Sequence, residues 1–229
     1  MSSLNCGKES SPRSPGHLCQ DQPKQETPGM VAIPQAHSLS VADYLQFEAT
    51  SEVRHEYRAG EVYAMAGATD AQNTIAGNLF VFLRNHVRGS GCRVYMSDMK
   101  ARLDRSNCFY YPDLLVTCDP RVQETATYKR FPKLIVEVLP PSTEAFDRGD
   151  KFADYQTLES LEEYVLISTS RQRVDCFRRS PEGVWTLQFY LPNAEVLPLQ
   201  SIGLEVQLSD LYEEVTLPTT AAESQEAEL

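Results

Sequence analysis

Apolar and polar positions along the chain repeat with two periods, and the switches between them predict alternating helices and strands. Ser40 stands as an N-cap ahead of a short helix carrying Tyr44, Leu45 and Phe47. Residues 53–66 predict a hairpin turning at Ala59-Gly60, with Val62, Tyr63 and Met65 beyond the turn. Thr69 and Gln72 have the spacing of a capping box, in which Gln72 reaches back to the Thr69 backbone. Behind them Ile75, Leu79, Phe82, Leu83 and Val87 recur at helical spacing until Gly89-Ser90-Gly91 ends the run.

Three strands follow. Residues 92–104 alternate, which predicts Asp98, Lys100 and Arg102 on one face and Met99, Ala101 and Leu103 on the other. Residues 109–117 form the second strand, and residues 133–139 the third, stopped by Pro140-Pro141. A helix carrying Lys151, Phe152, Tyr155 and Leu158 leads into an apolar strand at 164–168, then into alternating strands around 174–177 and 185–191. The order implies an α/β (α+β) fold, a mixed β-sheet flanked by helices.

The ends carry no such pattern. Residues 1–29 are rich in Ser, Pro, Gln and Lys and lack the apolar surface to order themselves. Met30 stands just ahead of the first patterned residues and is a candidate alternative start. The expected organisation is a disordered extension over 1–29, one domain over 30–216 and a flexible acidic tail over 217–229. Neither a membrane-spanning stretch nor the apolar core of a signal peptide is legible, so the expected location is the cytoplasm.

Charge complicates any role with nucleic acid. The net charge is −11, and without the two ends 18 basic and 26 acidic residues still leave −8. Binding a polyanion would then need a local basic patch or bound cations. The six cysteines form no C-x-x-C pair and lie away from the histidines at zinc-site spacing. All six are expected to be reduced.

The chemistry is concentrated in two carboxylates. Glu137 interrupts Leu134-Ile135-Val136-Glu137-Val138-Leu139, a run otherwise suited to burial on both faces. A buried carboxylate costs several kcal/mol or more unless a partner, a metal or a proton compensates it. Asp113 follows Pro112, which cannot donate to a ladder and so marks an edge or bulge with open space beside the aspartate. Two carboxylates on successive strands can converge on one hard cation such as Mg²⁺. Alternatively, Glu137 pairs with a buried Arg or Lys while Asp113 caps a turn.

The ordered set of motifs resembles the PD-(D/E)XK nuclease superfamily, and within it the Uma family, named for restriction endonucleases and also known as domain-of-unknown-function family 820. The matching stretches run over about residues 39–215. They include Arg54-His55-Glu56, Tyr111-Pro112-Asp113, Leu134–Leu139 leading to Pro141-Ser142-Thr143, and Asp147 with Lys151 and Tyr155. The resemblance implies a restriction-endonuclease-like fold, a Mg²⁺ (or Mn²⁺) site at Asp113 and Glu137, and hydrolysis of DNA. Position 139 is Leu where the superfamily carries lysine; the family resembled lacks it too and supplies a lysine from the next helix, matching Lys151 here. Lys151 would orient the attacking water or stabilise charge developing on the phosphate. It could equally be an exposed helix lysine paired with Asp147, and Lys100 is its rival.

Glu56 is a further candidate carboxylate, or else a surface residue of the hairpin. Asp98 is another, or else pairs with Lys100 or Arg102, and Tyr155 shares the helix side of Lys151. A symmetric homodimer is the expected assembly, since two-fold pairing is the commonest and suits cleavage of two strands. The competing reading is a catalytically inactive nuclease-fold module that binds nucleic acid or a protein partner.

Overall fold

The computed structural model describes residues 31–32 and 38–218. What the sequence suggests for residues 1–29 and for the tail beyond 218 lies outside the described residues. The first elements are β1 (Val31–Ala32), α1 (Val41–Thr50), β2 (His55–Arg58), β3 (Glu61–Ala64) and α2 (Asp70–His86). Ser40 caps α1 by accepting from the Asp43 amide, and Thr69 with Gln72 closes the capping box of α2. The β2–β3 hairpin turns at Ala59 (φ 48°) and Gly60 (φ 103°). Left-handed backbone favours glycine there, and a Cβ on Gly60 would lie 1.8 Å from the Ser38 hydroxyl oxygen.

Each of the next two strands divides. Residues 92–104 become β4 (Arg93–Met96) and β5 (Lys100–Leu103), while residues 109–117 become β6 (Cys108–Tyr110) and β7 (Leu114–Thr117). The chain crosses from one sheet to the other at each break, so β4 and β7 pair in one sheet and β5 and β6 in another. Ser97, at φ 23°, donates its amide to the Asp113 carbonyl at 3.0 Å and ties the two crossings together. The alternation expected across residues 92–104 therefore does not hold: Asp98 lies in the turn, and β5 is buried on both faces.

The remaining elements are β8 (Tyr128–Lys129), β9 (Leu134–Leu139), α3 (Glu144–Arg148), α4 (Asp150–Tyr155), β10 (Glu163–Ser168), β11 (Val174–Arg179), β12 (Trp185–Tyr190), β13 (Val196–Leu199), β14 (Leu204–Gln207) and α5 (Leu208–Leu211). The expected helix through Leu158 is instead two short helices, broken at Gly149 and finished by Tyr155. A Cβ at position 149 would crowd the Ala145 carbonyl oxygen at 3.1 Å.

One sheet has the order β12-β11-β10-β9-β7-β4, with β9 and β10 parallel and the other pairs antiparallel. The second has the order β1-β3-β2-β6-β5-β8, and β13 pairs with β14 separately. Along β9 alternate residues face opposite ways. Leu134, Val136 and Val138 pack with Ile75, Leu79 and Leu83 of α2. Ile135 and Leu139 pack on the other face with Ala101, Tyr110 and Tyr155, between the two sheets. Glu137 shares that second face by alternation.

The cysteine expectation is overturned. Cys92 and Cys118 form a disulfide with their Cα atoms 4.0 Å apart. Arg93 pairs with Thr117 in the β4–β7 ladder, so the next residue on each strand meets across it. Local C-x-x-C spacing carries no trace of a partner 26 positions away. Cys108 and Cys176 are free and buried, while Cys6 and Cys19 lie outside the described residues.

Candidate active site

Strand pairing brings the two carboxylates together. Leu114 pairs with Val136 and Leu115 with Ile135, so continuing the register one step sets Asp113 opposite Glu137. The Val138 amide donates to Asp113 Oδ2 at 2.7 Å, where a regular ladder would have continued. Asp113 stays partly exposed, because Pro112 and the sheet crossing open the strand beside it. It forms no ion pair among the described residues.

Lys151 lies at the centre of three other carboxylates. Its Nζ stands 3.0 Å from Glu137 Oε1, 3.2 Å from Glu56 Oε1 and 3.3 Å from Asp147 Oδ1. All four side chains are buried, each residue about 5% exposed. The exposed-lysine alternative is thereby excluded. The Tyr155 hydroxyl donates to Glu137 Oε1 at 3.0 Å, and the Tyr111 amide donates to Glu56 Oε1 at 3.1 Å. Glu56, from the hairpin, thus belongs to the cluster and not to the surface. Asp147, which the sequence suggests only as a helix neighbour of Lys151, is its fourth acid.

Asp98 and Lys100 lie elsewhere. Asp98 is exposed and pairs with Arg54 at 3.1 Å, not with Lys100 or Arg102. Lys100 is buried behind Tyr111, to whose hydroxyl it donates at 3.1 Å, and that hydroxyl donates to Glu48 at 2.7 Å. Of the two lysines, only Lys151 reaches the carboxylates of the cluster.

The cluster opens into a cleft of about 180 Å³, lined among others by Tyr63, Met65, Thr69, Gln72 and Thr143. Gln72 joins the helix cap to the site: its Oε1 accepts from the Thr69 amide and its Nε2 donates to the Val138 carbonyl at 3.1 Å. Burial pushes the Asp113 carboxyl up to about 6, with the neighbouring acids Asp147 and Glu56 adding to the rise. Burial likewise raises Glu56, and it raises Glu137 well above the ordinary carboxylate range. For Lys151 burial opposes the charge, but Glu137, Glu56 and Asp147 outweigh it and hold the ammonium protonated. Burial also keeps the Tyr155 phenol protonated and able to donate.

Four acids thus face one fixed cation, and ionising all of them leaves excess negative charge in a partly desolvated cleft. A proton or a hard divalent cation relieves it. Among the described residues, no three or more His, Cys, Asp and Glu side chains form a ready metal cage. Mg²⁺ does not require one, because it keeps several waters and takes one or two carboxylates. Asp113 and Glu137 fit that demand.

A family model described as "Putative restriction endonuclease", Uma2, matches residues 41–210. The chain belongs to the Uma2 family. Two Synechocystis proteins are similar across nearly their whole length. The uncharacterized protein slr1290 is 36% identical, over 76% of this chain and 91% of its own. The uncharacterized protein sll1609 is 30% identical, over 73% and 96%. A crystal structure from Anabaena variabilis, described as a "putative nuclease belonging to DUF820", superposes with a TM-score of 0.66 at 15% identity. It covers 78% of this chain and 99% of that one. The nuclease-like fold expected from the motif order is therefore shown. Among the described residues no helix is long and apolar enough to cross a membrane.

Proposed function

We propose that this Uma2 protein is a Mg²⁺-dependent endonuclease that hydrolyses phosphodiester bonds of DNA. The observation that carries this reading is the placement of Asp113 opposite Glu137, at a cleft that also receives the Lys151 ammonium. Asp113 and Glu137 would hold the cation, with Mn²⁺ as a substitute. A bound divalent cation would lower the pKa of a coordinated water and offset charge on the phosphate. With Glu137 turned to the cation, Lys151, still fixed by Glu56 and Asp147, would have its third N–H free for the water or a phosphate oxygen. Tyr155 would keep one Glu137 oxygen hydrogen-bonded, so that the other faces the cleft.

A catalytically silent binding module is the second reading. It is favoured by Lys151 bonding three carboxylates at once and by the acidic balance of the chain. Incubation with supercoiled plasmid and Mg²⁺ or Mn²⁺ separates the two. The enzyme reading expects nicking that Asp113→Ala and Glu137→Ala each abolish. Nicking that survives both substitutions marks a contaminant, and DNA binding without cleavage establishes the silent module.

A further inference from the structure

Most arginines among the described residues are neutralised by a carboxylate, as Arg54 is by Asp98 and Arg148 by Glu144 and Asp175. Arg171 and Arg179 stand apart without a carboxylate partner, and Arg84, Arg88 and Arg93 form a group of three without one. All three of that group are exposed, and among the described residues none has an acidic partner. Arg84 and Arg88 lie one turn apart at the end of α2, and Arg93 opens β4 beside them. Arg84 and Arg93 line one open groove of about 550 Å³ between the end of α2 and the 3-10 helix Pro120–Glu124. The acid in that lining, Asp119, is already engaged by Arg121, whose Nε and Nη2 reach its two oxygens at 2.9 and 2.6 Å. In a chain of net charge −11, this groove therefore carries two arginines that have no carboxylate partner among the described residues.

Helix α2 connects that groove to the cleft. Thr69 and Gln72 line the cleft at its beginning, and Arg84 stands fifteen positions beyond Thr69. A rise of 1.5 Å per residue puts the two about 22 Å apart along the axis, or about six to seven base pairs of duplex. Guanidinium groups suit phosphate oxygens, which they can bond in pairs.

We infer that the groove lined by Arg84 and Arg93 binds the phosphate backbone of duplex DNA flanking the cleft. This rests on the nuclease reading. It supplies the local basic surface that the overall charge lacks, since each phosphate contact contributes counterion release whatever the net charge.

The test is fluorescence anisotropy in EDTA, where cleavage does not interfere, with a labelled duplex of about 30 base pairs over a range of salt concentrations. The double variant Arg84→Ala/Arg93→Ala should bind about tenfold more weakly at moderate salt. It should also lower the slope of log affinity against log salt by about two. Arg171→Ala removes an equally exposed charge from another loop and should leave binding unchanged. Unaltered melting temperatures would show that every variant is folded. Wild-type binding that the double variant retains in full overturns the groove and leaves the nuclease reading standing. A loss that Arg171→Ala reproduces charge for charge also overturns it. Failure of the wild type to bind duplex in EDTA overturns the groove, whose charges need no metal, while nicking of plasmid with Mg²⁺ or Mn²⁺ still decides the nuclease reading.

Discussion

Asp113 sits opposite Glu137 across the β7–β9 pair and takes the amide hydrogen of Val138, so one carboxylate is anchored to the backbone next to the other. Its raised pKa, about 6, means that folding must desolvate a charge at neutral pH. Replacing it by a neutral isostere should relieve that burden. Asp113→Asn keeps an acceptor for the Val138 amide and should be more stable than wild type at pH 7.5, by about 1–3 kcal/mol at ~1.4 kcal/mol per pKa unit. The same variant should lose cleavage. Urea melts alongside plasmid nicking check both, and a less stable Asp113→Asn would show that the carboxylate is not strained.

The pH dependence follows from the same group. An acid whose pKa is higher folded than unfolded holds more protons in the folded state, so metal-free stability should fall as pH rises from about 4 through about 6. Metal binding has the opposite sign, because the proton must leave before Asp113 can ligate. Mn²⁺ should therefore stabilise the fold, and raise Tm, little at pH 5 and strongly at pH 7.5, where a hundredfold excess over Kd contributes about 2.7 kcal/mol of stability. Thermal melts with and without Mn²⁺ at the two pH values decide it; an equal response would remove Asp113 from the metal site.

How much of the fold and site is legible in the residues depends on how local each cause is. The α2 cap is legible because Thr69 and Gln72 satisfy each other within one turn. Glu137 is legible because a charge inside an apolar run demands compensation wherever the strand lies. The sheet crossings at Ser97 and Asp113 are not, since an alternating pattern looks the same whether a strand continues or passes into a second sheet. Burial of Lys151 is hidden for a related reason: spacing pairs it with Asp147, but packing of α3 and α4 decides that both face Glu137 and Glu56.

Among the described residues, Lys151 is the ammonium that Glu56, Glu137 and Asp147 share. Lys151→Met should destabilise the metal-free protein by about 3–5 kcal/mol near neutral pH, the usual consequence of leaving a buried charge without its partner. The loss should shrink toward pH 5, because burial raises the Glu137 and Glu56 carboxyls and favours their protonated, neutral forms as pH falls. Mn²⁺ should restore part of the stability by supplying positive charge at the same cluster. Denaturation midpoints at both pH values, with and without metal, test this. A pH-independent loss would point to packing and not to charge.

The Cys92–Cys118 bond closes a loop of 26 positions between the ends of β4 and β7, one of which leads through the Ser97 crossing and the other back to Asp113. Cross-linking a loop of that length removes conformations from the unfolded chain and contributes about 3.5 kcal/mol in the chain-entropy account. The paired β4–β7 ladder holds the same strands together without it, so reduction should weaken the fold rather than abolish it. Equilibrium unfolding in urea, with and without a thiol reductant, should show a lower midpoint under reduction. Cys92→Ser/Cys118→Ser should match the reduced protein and no longer respond to the reductant. An unchanged midpoint in both would mean that the two thiols are not joined in solution.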